Sequence, residues 1–70
     1  MTNTNIDNAE KVLIHIEDMI AQTKDSDRLF ILQTARRHMK FACSYLNHDK
    51  LDRAGPHLEA AKDLLGRLSA

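Results

Sequence analysis

Cysteine, proline, glycine and aromatic residues are all scarce in this 70-residue chain, and each shortage excludes something. The single cysteine, Cys43, rules out an internal disulfide, and a lone thiol fits a reducing compartment. With two glycines, one proline and abundant alanine and leucine, helix is the economical conformation throughout. No strand-like alternation is present. The longest unbroken apolar run, Leu29-Phe30-Ile31-Leu32, is far short of the roughly 20 residues that span a bilayer. Residues 1–8 are polar and lack the basic and apolar regions of an export signal. The expectation is a cytoplasmic protein with no membrane contact.

Seventy residues bound the stability as well as the fold. One core of this size rarely yields more than about 3–5 kcal/mol unless a disulfide, a metal, very regular helix packing or self-association assists it. The hydrophobic content of 43% with 29% charged residues is that of a folded globular chain. Packing and oligomerisation are therefore the favoured sources of additional stability.

Hydrophobic periodicity predicts three helices, at about 8–23, 27–47 and 50–68. In the first, Ala9, Val12, Ile16 and Met19 recur at alternating three- and four-residue steps, with Asp7 as a candidate N-cap and Glu10 at capping-box spacing. In the second, Leu32, Ala35, Met39, Ala42 and Leu46 form a coiled-coil-like seam, preceded by the capping side chains Asp25 and Ser26. In the third, Leu51, Ala54, Leu58, Ala61, Leu65 and Leu68 keep the same rhythm, with Asp49 as a candidate cap. That seam holds its phase across Gly55-Pro56, so one helix, kinked at the proline, is preferred to a turn followed by a new helix. Short polar turns between three amphipathic helices imply a single-domain, all-α, up-down-up bundle over 1–70, with 1–6 as a flexible tail. The stretch from about 35 to 68 has the length of one tetratricopeptide-type hairpin, but that pattern needs several repeats and assigns no family.

Chemistry-bearing motifs are few. The four histidines do not share the i, i+3 or i, i+4 spacing of a helix-borne metal site, since His38 and Cys43 are five apart and His15, His48 and His57 stand alone. Cys43 flanks the buried seam, where a small apolar thiol is ordinary, and no phosphate loop, carboxylate pair or nucleophile elbow occurs. The expectation is a protein that is not an enzyme and has neither cofactor nor metal.

Net charge is zero, yet its distribution is uneven. The segment 6–23 carries net −3, while 28–48 carries Arg28, Arg36, Arg37 and Lys40 with no carboxylate. On the second helix Arg36, Arg37 and Lys40 gather opposite the apolar seam, either as a solvated face or as an electrostatic footprint for an acidic partner or nucleic acid. All the aromatic residues, Phe30, Phe41 and Tyr45, fall on a separate flank with Thr34 and His38. That flank either packs inside the bundle or forms an oligomer or partner interface, where aromatic rings are enriched. Together these features predict a self-associating adaptor, inhibitor or regulator, a homodimer that binds another protein. A nucleic-acid-binding regulator using the basic face is the alternative.

Overall fold

A computed structural model describes the backbone of residues 4–69 and the side chains of residues 6–68. The described secondary structure is three helices: α1 (Thr4–Gln22), α2 (Ser26–Asn47) and α3 (Leu51–Ser69). The expected all-α bundle is therefore observed. Residues 4–6, expected in a flexible tail, form the start of α1, and residues 1–3 lie outside the described part. Asp7 is thus not a cap. It sits in the first turn of α1, where a carboxylate offsets the positive end of the helix dipole.

Local hydrogen bonding sets the helix ends. Thr23 closes α1, its hydroxyl donating to the Met19 carbonyl at 2.7 Å. Asp25 caps α2 as expected, its Oδ1 accepting the Asp27 N–H at 3.0 Å. The end of α2 departs from expectation. Asp49 does not cap α3. It adopts the left-handed conformation, φ 57°, while Lys50 N–H donates to the Tyr45 carbonyl and Asp49 N–H to that of Leu46. These bonds form a Schellman motif, which turns the chain sharply and satisfies carbonyls that the helix leaves open. A Cβ in this conformation is strained, so Asp49→Gly should raise stability by about 0.5–1 kcal/mol in a urea titration.

The α3 helix runs unbroken through Pro56, in line with the phase of its seam. Pro56 lacks the N–H that would reach back one turn, so α3 tolerates the break through tertiary packing.

The core lies on the seam of α2. All five of its residues, Leu32, Ala35, Met39, Ala42 and Leu46, are buried, together with Ala9 and Ile16 of α1 and Ala54 and Ala61 of α3. Both outer helices pack on α2, yet among the described residues no Cα of α1 comes within 8 Å of a Cα of α3. The molecule is elongated, 39 × 19 × 17 Å, and open along one side. No helix of the described residues is long and apolar enough to cross a membrane.

Candidate functional site

The open side is a groove. Its floor is Met39 and Leu46 of α2, one wall is Ala9 and Val12 of α1, and the other is the face of α3 bearing Leu51, Leu58 and Leu65. The space measures about 480 Å³, and ten of its twelve lining residues are apolar, Asn8 and Lys62 being the exceptions. A Cβ added to Gly55 in the α3 wall would meet no atom within 4 Å. No described side chain fills the groove.

The sequence of α3 explains this geometry. Its seam is a heptad pattern in which alanines and leucines occupy different rows. Ala54 and Ala61 are buried among the core residues, and their small size lets a neighbouring helix approach closely. Leu51, Leu58 and Leu65 form the other row, which lines the groove. Leu51 is 59% exposed, Leu58 and Leu65 are only half-buried, and Val12 on the opposite wall is 38% exposed. Periodicity identified the apolar row but not its partial exposure.

The aromatic flank meets a residue that the sequence reading left alone. His57 of α3 stacks on Phe41 and Tyr45, with ring centroids 5.2 and 5.7 Å apart, and lies 5.3 Å from the His38 ring. The Nδ1 atoms of His38 and His57 are 3.0 Å apart, so one imidazole N–H donates to the other ring's lone pair. Tyr45 and His38 are half-buried in this cluster, and Phe41 remains 48% exposed. The Thr34 hydroxyl turns back onto the Phe30 carbonyl at 2.9 Å. Phe30 itself stands outside the cluster and is 71% exposed. The flank is thus divided between an α2–α3 contact and one free ring. No helical spacing could reveal the His38–His57 pair, because its members sit on different helices 19 positions apart.

Arg36, Arg37 and Lys40 come together as expected and, with Gln33, line a shallow polar depression on the outer face of α2. Arg36 is half-buried, while Arg37 and Lys40 are exposed. No group of three or more metal-ligating side chains occurs among the described residues.

Cys43 is half-buried on α2, and its thiol is pushed above the usual 9.0, first by burial and then by the nearby Glu10 carboxylate of α1. Both causes disfavour the thiolate. A raised folded-state value means that the associated stability is fully present below the unfolded thiol's value. It is lost as pH rises, because the unfolded chain ionises first. Stability should accordingly fall faster above about pH 9 in the wild type than in Cys43→Ser, as compared by urea titrations across that range.

No protein-family model, curated protein or solved structure matches the chain.

Proposed function

We propose that this chain is a non-enzymatic protein-interaction module, an adaptor, inhibitor or regulator that self-associates and binds a partner protein in the cytoplasm. The apolar groove between α1 and α3 carries this reading. It presents alkyl side chains on three helices, the surface against which an amphipathic helix buries its apolar stripe. Alkyl walls supply binding energy through burial and offer little for acid–base or nucleophilic chemistry. The basic depression on α2 provides a second, electrostatic surface suited to an acidic protein.

A tagged pull-down followed by mass spectrometry tests the proposal, with Val12→Glu and Arg37→Glu run beside the wild type. A partner retained by the wild type and lost from either variant supports it. A wild type that retains no protein above a scrambled-sequence control overturns it.

Arg36, Arg37, Lys40 and Gln33 converging on one depression also favour a second reading, in which α2 binds nucleic acid. Purified protein carrying nucleic acid that salt displaces, with a steep dependence on salt concentration, would select this reading.

A further inference from the structure

We propose that the α1–α3 groove is closed by a second copy of this chain, in a twofold dimer whose two α3 helices lie antiparallel and cross near Leu58. The inference rests on the interaction-module reading and names the occupant of its groove.

Surface area is the first argument. The structure exposes 5122 Å², whereas a folded monomer of this mass exposes roughly 4450 Å². The surplus of roughly 670 Å² approaches the roughly 800 Å² that each partner contributes to a standard interface. The radius of gyration agrees, at 12.2 Å against about 11 Å for a compact domain of this length. The chain has the surface of a body from which one interface has been left uncovered.

Symmetry is the second. The groove follows α3 from Leu51 to Leu65, a rise of about 21 Å. Its leucine row has Leu58 at the centre, with Leu51 and Leu65 each seven residues away. A twofold axis at Leu58 therefore sets Leu58 against its own copy and Leu51 against the partner subunit's Leu65. Each α3 enters the other copy's groove and meets Val12 on the far wall. A closed interface of this kind is self-complementary, so the most exposed leucine of the row is covered twice by one contact type. The open Cβ direction at Gly55 leaves room for that approach.

Analytical ultracentrifugation is expected to show twice the chain mass for the wild type at micromolar concentration. Leu51→Glu should weaken association at least tenfold while the helical circular dichroism is kept, because this side chain is mostly exposed in the monomer. Val12→Glu, on the other wall, should do the same and guards against a folding defect particular to α3. Phe30→Glu, outside the groove, should leave the dimer intact. In a Cys43→Ser background, Leu58→Cys should form a disulfide-linked dimer under mild oxidation. A wild type that is monomeric at high micromolar concentration overturns the proposal. So does a dimer that survives Leu51→Glu and Val12→Glu but dissociates with Phe30→Glu or Phe41→Glu. A monomeric wild type that still retains a partner protein through Val12 defeats the dimer and leaves the interaction-module reading in place. A dimer that retains no partner does the reverse.

Discussion

Leu32→Ala is expected to lower stability by about 2–5 kcal/mol, the usual cost of emptying a fully buried leucine site. The loss is comparable to the whole stability of a domain this small, about 3–5 kcal/mol, so a large unfolded fraction should appear at room temperature. Leu32 is 1% exposed and belongs to the common core cluster, away from the open groove. Neither solvent nor a shifted side chain can easily fill the space it would leave. Thermal and urea unfolding followed at 222 nm give the measurement. Leu58→Ala supplies the internal comparison, since this leucine is half-buried on the groove wall. It should cost about 1–2 kcal/mol in the monomer, in proportion to the apolar area it removes from water. At concentrations where the chain is monomeric, equal effects at the two positions would show that the leucine row of α3 is covered within one chain, contrary to the open groove.

The second large effect is expected at His57. His57→Ala removes two stacked ring contacts, each worth about 0.5–1.5 kcal/mol, and one hydrogen bond with a net value in the same range. Because the cluster is only half-buried, a total loss of about 2–3 kcal/mol is expected by urea titration. His57→Phe keeps a ring against Phe41 and Tyr45 but loses the bond to His38, and should cost about 1 kcal/mol. The near-ultraviolet signal of Tyr45 reports the packing directly, since it is the chain's one tyrosine. It should collapse in His57→Ala and persist in His57→Phe. A His57→Ala protein as stable as the wild type would mean that the cluster does not hold α3 to α2.

Both predictions concern burial, and they differ in how far burial was legible beforehand. The five seam residues of α2 were readable because a helix that is covered on one side must present its apolar residues every three or four positions. Leu32 follows from that rule alone. His57 does not. Its ring belongs to the polar vocabulary of a surface, and only the crossing of α3 over α2 brings it between Phe41 and Tyr45. The aromatic flank was visible as a stripe, but a stripe carries no information about which of two neighbours will cover it. In the structure α3 covers Tyr45 and part of Phe41, and Phe30 stays bare.

Helix ends divide in the same way. Asp25 was identifiable as a cap because its side chain acts within two residues of its own position. Asp49 has the same side chain and the same sequence signal, yet it serves through its backbone in the left-handed conformation. The reason is the tight reversal that lets α3 return along α2, a demand set by packing rather than by the residue.

The sequence by itself determined the number of helices, the seam of α2, the passage of α3 through Pro56 and the gathering of Arg36, Arg37 and Lys40. All of these follow from helical periodicity, which is local and survives whatever the helices later contact. Val12 and Leu51, read as seam residues of α1 and α3, are instead exposed. Tertiary structure alone decided that α1 and α3 would each pack on α2 without meeting, which opens a groove lined by Leu51, Leu58 and Val12. It also decided that His38 and His57 would meet. The physical reason is that periodicity fixes which side of a helix seeks cover, whereas the distance and angle between helices depend on the sizes of side chains from different segments. Here small alanines draw α3 onto α2 and leave the leucines beside them facing an open space.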